Sequence, residues 1–268
     1  MAQNLSEHRH ISFTAHYTGY IWYSMGISHP VFATGKGKFL AKILHPLESW
    51  AEKHVGGSMR TTLKQRHSII DRQLTDLIQQ RPDVQILEIA SGLSPRSWNF
   101  RQKFPNIHYR ELDLPEMAKI KTRALQQLDA QAPEVLTADI FTQDFEKIFL
   151  GFDTSRPLAI ISEGLINYFD KSMLNKLLQG ITEYGQDFTE LHYLTDIYPE
   201  PVFGVFLTQL GRCICLFIEI GAHCGGYGRL AVGLVGVFRG NGFADAPAEI
   251  EQGGVFTGIA GFECLSHQ

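Results

Sequence analysis

Val84-Gln-Ile-Leu-Glu-Ile-Ala-Ser-Gly-Leu-Ser-Pro-Arg96 is the stretch that decides the fold of this chain. Its apolar run of β-forming residues carries the carboxylate Glu88 near its end and then breaks into a turn of small residues, Ala90–Gly92. Ser94 and Pro95 suit the cap and the first position of a helix. A strand that leads through a tight turn into a helix is how α/β proteins bring backbone close to a nucleotide-like ligand. The turn holds a single glycine, so it lacks the Gly-x-Gly-x-x-Gly of dinucleotide-binding folds.

Strand and helix patterns alternate on both sides of this turn. Strands are predicted at 84–90, 107–113, 134–138, 158–163 and 189–196, and helices at 95–104, 115–129, 143–149 and 170–184. This alternation predicts an α/β fold whose mostly parallel sheet carries helices on both faces. Beyond residue 200 the pattern weakens: we predict helices over 202–218 and 229–240, and short strands over 243–250 and 258–266.

The first 57 residues differ from the rest of the chain, because they carry many aromatic side chains and show no strand–helix alternation. We interpret residues 1–57 as a helical N-terminal cap or lid and residues 58–268 as the main domain. Apolar residues recur at helical spacing from residue 58 to residue 81, and Pro82 closes that helix.

Composition narrows the class of protein. The 268 residues are 44% hydrophobic and carry a formal net charge of -4, which provides no electrostatic basis for a nucleic-acid or membrane partner. The start of the chain has no signal-peptide pattern, so a reduced, cytoplasmic setting is expected. Cys213, Cys215, His223 and Cys224 lack the Cys-x-x-Cys spacing of structural zinc sites, and no metal is expected.

Carboxylates follow the predicted strands in order. Glu88, Asp113, Asp139 and Glu163 all stand at strand ends, where an open α/β sheet binds its ligand. Asp113 lies about 20 residues past the turn, the interval at which an acid meets ribose hydroxyls. Glu111 is its rival, on the same face and one pleat further back. A ribose acid beside a turn without a glycine-rich phosphate grip favours a nucleoside ligand that has no diphosphate.

These motifs resemble the leucine carboxyl methyltransferase family. The similarity rests on Glu88-Ile-Ala-Ser-Gly-Leu-Ser-Pro-Arg, on Glu111-Leu-Asp-Leu-Pro-Glu-Met with Lys121, on Ala138-Asp-Ile, and on Ser162-Glu-Gly-Leu-Ile-Asn-Tyr. Within the family, the chain is most similar to bacterial polyketide O-methyltransferases of the tetracenomycin type. The resemblance implies a class I methyltransferase (Rossmann-like) fold, with S-adenosylmethionine as methyl donor and a small-molecule methyl acceptor.

From the strand ends and the resemblance together, we expect eight residues to bind the cofactor: Arg66, Glu88, Ala90, Gly92, Asp113, Asp139, Ile140 and Glu163. The resemblance implies that Arg66 binds the methionine carboxylate, a contact that suits a guanidinium, and that Asp139 and Ile140 flank the adenine. The chain departs from the family at Ala90-Ser-Gly92, where Gly-Ala-Gly is usual. Ala90 would still allow the backbone to approach a ligand closely if its φ is negative.

Methyl transfer needs alignment and exclusion of water more than covalent help from the protein. A carboxylate acceptor needs no base, whereas a hydroxyl acceptor profits from one. His29 and Tyr168 are the main candidates for a base or an acceptor-orienting group, and His16 and Tyr17 are alternatives. Three hypotheses remain: an S-adenosylmethionine-dependent O-methyltransferase, a catalytically impaired methyltransferase-like binding module, and a nicotinamide oxidoreductase. The missing Gly-x-Gly-x-x-Gly counts against the last of these.

Overall fold

The computed structural model of the chain describes residues 4–55, 59–197, 231–239, 242–243, 249–251 and 255–257. Its helices are α1 (Asn4–Ser24), α2 (Gly35–Val55), α3 (Met59–Gln80), α4 (Arg96–Lys103), α5 (Pro115–Leu128), α6 (Asp144–Phe149) and α7 (Lys171–Gly185). Two short 3-10 helices lie at Pro30–Phe32 and Ile166–Tyr168. The strands are β1 (Gln85–Ile89), β2 (His108–Asp113), β3 (Leu136–Thr137), β4 (Leu158–Ser162), β5 (Glu190–Ile197), β6 (Ala231–Arg239), β7 (Gly242–Phe243), β8 (Glu249–Glu251) and β9 (Val255–Thr257).

The strands form one sheet in the order β3-β2-β1-β4-β5-β6-β9-β8, and β7 pairs with β6. Neighbours from β3 to β5 are parallel, and β6 runs antiparallel to β5. The carboxyl ends of β1 and β4 therefore meet at one edge, with Ile89 opposite Ser162. The predicted α/β class, a mostly parallel Rossmann-like sheet, is confirmed, and the five predicted strands before residue 198 are all present.

One prediction beyond residue 200 is wrong. Residues 229–240 were expected to be helical, but Ala231–Arg239 form strand β6 and pair with the whole of β5. The segment is rich in valine and contains Gly233 and Gly236, which are poor helix formers. Its apolar spacing suits either structure, and the open edge of β5 decides the outcome by supplying backbone partners. Within the expected strand over 243–250, the described residues belong to β7 and β8, and residues 244–248 lie outside the described residues. The expected elements at 202–218 and 258–266 also lie outside them.

Side chains from β1 and β4 alternate between the two faces of the sheet. Leu87 and Ile160 join a cluster with α6 and α7 that is rich in phenylalanine. Ile86 and Ile161 point to the other face and pack against α3. Burial on both faces explains why these strands carry apolar residues on both faces instead of alternating strictly between apolar and polar ones.

The N-terminal helices pack on the main sheet through α3 and the turn. Tyr17 and Ile21 of α1 share a core cluster with Leu44 of α2 and Leu63 of α3. Helix α1 crosses α2 closely, since a Cβ added at Gly37 would collide with the His16 carbonyl oxygen. The helical nature expected for residues 1–57 agrees with α1 and α2, while the division into cap and main domain stays a proposal. Within the part of the chain that is described, no helix has both the length and the apolar character of a membrane span.

Candidate active site

The turn after β1 has an unusual backbone. Ala90 has φ +49° and Gly92 has φ +51°, so both adopt the left-handed conformation. Close approach of a ligand was expected to depend on a negative φ at Ala90, and the structure instead places this alanine where glycine is favoured. For a residue with a Cβ atom, this conformation costs about 1–2 kcal/mol. The Gly-Ala-Gly pattern of the family has glycine at this position, which removes that cost.

Asp113, at the end of β2, is tied to this turn. Its Oδ2 accepts the backbone N–H of Gly92 at 2.7 Å, and its Oδ1 accepts that of Leu114 at 2.8 Å. Burial raises the pKa of Asp113 to about 6, although the two amide donors and the nearby ammonium of Lys121 counteract part of this effect. The carboxylate therefore lies at the turn, where a ribose would have to bind.

Glu111, the rival acid, is held elsewhere. It pairs with the fully buried ammonium of Lys121 and accepts the hydroxyl of Ser97 at 2.5 Å. The Lys121 Nζ also donates to the carbonyl oxygen of Ser91 at 3.1 Å. Glu111 and Lys121 thus form a buried ion pair that supports the turn from within the fold.

Arg66, on α3, lies against two carboxylates. Its Nε donates to Glu163 at 2.8 Å and its Nη1 donates to Asp196 at 3.4 Å. The backbone N–H of Gly164 also donates to Asp196, at 2.6 Å. Burial raises the pKa of Asp196 even though Arg66 and that amide oppose the shift. Arg66 therefore joins the ends of β4 and β5 to α3.

Arg96 is a residue that the sequence interpretation missed. It has no exposed surface and contacts three carboxylates, Asp71, Glu88 and Glu163, with the first two at 2.6 and 2.8 Å. Burial disfavours its charge, yet these carboxylates raise its pKa well above the ordinary value. The available signal was an arginine at the first turn of a helix that follows a strand with Glu88 near its end.

Glu163 keeps its negative charge although it is buried. Burial would raise the pKa of Glu163, but the neighbouring His67, Arg96 and Arg66 hold it well below its usual range. Asp196 was not selected from the sequence, although it stands at the end of β5. The strand-end rule that selected Glu88, Asp113, Asp139 and Glu163 would have found it.

A pocket lies between helix α1, the turn after β1 and the segment that follows β4. Six of the ten residues predicted for the site line it: Arg66, Glu88, Ala90, Gly92, Glu163 and Tyr168. Helix α1 contributes Thr14, Ala15, Thr18 and Trp22. The Cβ of Ala15 would lie 3.2 Å from a Cβ added at Gly92, so α1 rests directly on the turn.

Sequence comparison agrees with this arrangement. The profile of the leucine carboxyl methyltransferase family matches residues 32–182, more than half of the chain. The chain belongs to this family. The matched region contains the turn, the strand-end acids from β1 to β4, and Arg66. The resemblance predicted from the motifs is confirmed at the level of the family.

Individual relatives cover smaller parts of the chain. A putative S-adenosyl-L-methionine-dependent methyltransferase of Mycolicibacterium gilvum is 34% identical over 122 residues, which are 44% of this chain and 40% of that protein. One from Frankia alni is 32% identical over 124 residues, 45% of this chain and 40% of its own length. The match thus spans less than half of the curated relatives. The crystal structure of a putative methyltransferase from Thermobifida fusca has 15% identity and a TM-score of 0.47, covering 72% of this chain and 69% of that chain.

The remaining predicted residues of this family member lie outside the pocket lining. Asp113 lies beside the pocket, because it holds Gly92. Asp139 follows β3, and its Oδ1 accepts the backbone N–H of Phe141 at 2.9 Å, while Ile140 packs against the core. His29 is exposed and caps the first 3-10 helix by accepting from Val31 at 3.4 Å.

Tyr168 is the candidate that the fold brings to the pocket. It ends the 3-10 helix that follows β4 and lines the pocket beside Asn167. Its hydroxyl lies 3.4 Å from the hydroxyl oxygen of Thr14 on α1. Tyr168 therefore links the sheet edge to the N-terminal cap.

Proposed function

We propose that this chain is an S-adenosylmethionine-dependent methyltransferase that methylates an oxygen atom of a small molecule. The observation that carries the proposal is the pocket at the carboxyl ends of β1 and β4, in a chain of the leucine carboxyl methyltransferase family. Ligands of open α/β sheets bind at this edge. The relatives named above are themselves described as S-adenosyl-L-methionine-dependent methyltransferases.

The residues at the pocket fit such a cofactor. Asp113 would accept the ribose hydroxyls, since each carboxylate oxygen has a further lone pair beside the one that the amide uses. Arg66 would hold the methionine carboxylate, and Asp139 with Ile140 would flank the adenine. Ser91 lines the pocket, and its buried hydroxyl has no hydrogen-bond partner among the residues that the structure describes, so a ligand would satisfy it.

The chain would contribute alignment and exclusion of water. When bound, the cofactor supplies an electrophilic methyl group on a sulfonium. Helix α1 lies over the turn and would exclude water from the reacting atoms. Well-oriented encounters contribute up to about 10 kcal/mol to such displacements.

The acceptor that we propose is the carboxylate or hydroxyl oxygen of a small molecule, in keeping with a polyketide O-methyltransferase branch. The cap presents Trp22 and two threonines to the pocket, which suits a compact organic molecule. Tyr168 would orient the acceptor or take its proton. With a net charge of -4, nucleic acid is not a proposed partner, and a cytoplasmic location is part of the same proposal.

A specific observation also favours the second candidate, an impaired binding module. Ala90 occupies a left-handed position, and α1 presses on Gly92. Both features oppose entry of an adenosine against the turn. Such a module would keep the fold and the buried charges but lack turnover.

Calorimetric titration with S-adenosylmethionine and S-adenosylhomocysteine tests the two candidates. We expect both ligands to bind the folded protein and a panel of phenols and carboxylic acids to contain a methylated product. Absence of binding with either ligand would reject the cofactor assignment. Binding without turnover over the whole panel would favour the module.

Two variants separate the catalytic candidates. Tyr168→Phe should lower kcat by about 100-fold for a hydroxyl acceptor if this tyrosine moves the proton. His29→Ala is the matched comparison and should leave kcat unchanged, because His29 is exposed outside the pocket. A loss with His29→Ala alone would transfer the role to His29.

A further inference from the structure

Trp22 lines the pocket and carries a buried indole donor. This residue of α1 is 5% exposed and lines the pocket together with Arg66. Its indole Nε1 is sealed from solvent and has no hydrogen-bond partner among the described residues. An indole N–H is a donor only, and buried tryptophans usually satisfy it. The unpartnered donor indicates that a ligand bound in the pocket supplies the acceptor atom.

The ring of Trp22 is held in place by the polar network below it. It packs on the ring of His67, with centroids 5.2 Å apart at 41°. The Nδ1 of His67 lies 2.8 Å from Glu163, which also accepts from Arg66. Since His67 and Arg66 are adjacent on α3, Trp22 lies near the Arg66 end of the pocket and not near the Asp113 end.

We propose that the indole N–H of Trp22 donates to a carboxylate oxygen of the methionine moiety of the bound cofactor. The inference rests on the proposed function and adds a neutral donor from the cap to it. Glu163 and Asp196 already balance the charge of Arg66, so an incoming carboxylate gains from a further donor that brings no competing anion. The contact would also couple α1 to the presence of the ligand, because the donor is unsatisfied without it.

Ser91 independently supports the presence of a ligand in this pocket. Its buried hydroxyl is a second unpartnered polar atom in a residue that lines the same pocket. The indole N–H belongs to α1, and the Ser91 hydroxyl belongs to the turn after β1. A single ligand between α1 and the turn could satisfy both.

Trp22→Phe is the decisive variant, since it keeps an aromatic ring and removes the N–H. Affinity for S-adenosylhomocysteine should fall about tenfold, the ordinary contribution of a hydrogen bond to a charged group. Affinity for 5′-methylthioadenosine, which lacks the carboxylate, should remain within about twofold of the unaltered protein. The melting temperature without ligand should fall only by what the smaller ring costs in packing, because the donor that is removed has no partner there among the described residues.

Trp98→Phe is the matched control. Trp98 packs against the cluster under α5 and does not line the pocket, so both affinities should stay unchanged. The inference is overturned if Trp22→Phe leaves the affinity for S-adenosylhomocysteine unchanged, or if it weakens the binding of both ligands equally. Either result would leave the proposed function standing. Unchanged S-adenosylhomocysteine affinity with weakened binding of benzoate would overturn it in favour of the acceptor carboxylate. Absence of binding to the unaltered protein would reject the proposed function as well.

Discussion

The backbone N–H of Gly92 donates to the Asp113 carboxylate at 2.7 Å, which joins the turn after β1 to the end of β2. Because the two strands are parallel neighbours, residues that are 21 apart along the chain meet at one sheet edge. This contact orients the proposed ribose acid before any ligand binds.

Asp113→Ala should weaken binding of S-adenosylhomocysteine by well over tenfold, since two ribose hydroxyls would lose their acceptor. Glu111→Gln is the matched control. It removes the partner of the buried Lys121, so the free energy of unfolding should fall by about 3 kcal/mol while the affinity of the folded protein is kept. Calorimetry and chemical denaturation separate the two effects. The reverse pattern, with affinity lost only in the Glu111 variant, would move the ribose site to Glu111.

Ligand binding should depend on pH through Asp113. Its pKa of about 6 in the folded protein lies above the unfolded value, so protonation favours the folded state. The contribution of Asp113 to the free energy of unfolding is therefore full below about pH 4 and is lost as the pH rises through about 6. Affinity for S-adenosylhomocysteine should change in the opposite direction and increase through the same window, because the ionised carboxylate is the better acceptor.

Titrations of Asp113→Asn from about pH 5 to about pH 8 serve as the control for this dependence. The variant should lose the increase in affinity over this interval. A pH profile that survives the substitution would assign the titration to another group.

Ala90→Gly should stabilise the protein. Glycine adopts the left-handed conformation of position 90 without the Cβ conflict, and the relief exceeds the entropy that glycine adds to the unfolded chain. We expect a gain of about 1 kcal/mol in the free energy of unfolding. Ala33→Gly, at φ -89°, is the control and should lose stability by about half of that amount. Equal losses in both variants would show that Ala90 is not strained.

Arg96→Lys should not be tolerated as a conservative change. The guanidinium reaches Asp71, Glu88 and Glu163 with separate nitrogen atoms, whereas an ammonium is a single point donor. We expect a loss of about 3 kcal/mol in the free energy of unfolding by denaturation with urea. Arg101→Lys is the comparison, because Arg101 is partly exposed and lies 3.6 Å from Glu111, and it should lose less than about 1 kcal/mol. Similar losses would indicate that the three-acid contact contributes little.

Local sequence was sufficient for the parallel half of the sheet. The strands that begin at Gln85 and Leu158 are short runs of mainly apolar residues, and the strand that begins at His108 lies between Pro105-Asn106 and Pro115. Pro115 and Asp170 mark the starts of α5 and α7. It was insufficient for β6, since a valine- and glycine-rich segment forms a strand or a helix according to the partner that it finds. That partner is β5, 34 or more residues earlier in the chain.

The order of acids along the chain, and the family to which they belong, followed from the sequence by itself. Tertiary structure decided what those acids contact: Glu88 and Glu163 share Arg96, and Asp196 joins Arg66. It also decided that Ala90 is left-handed and that Trp22, which lines the pocket, has a donor without a partner among the described residues. The reason is physical: propensity and spacing act within a few residues, whereas charge pairing, backbone strain and burial are determined by groups that only the folded chain brings together.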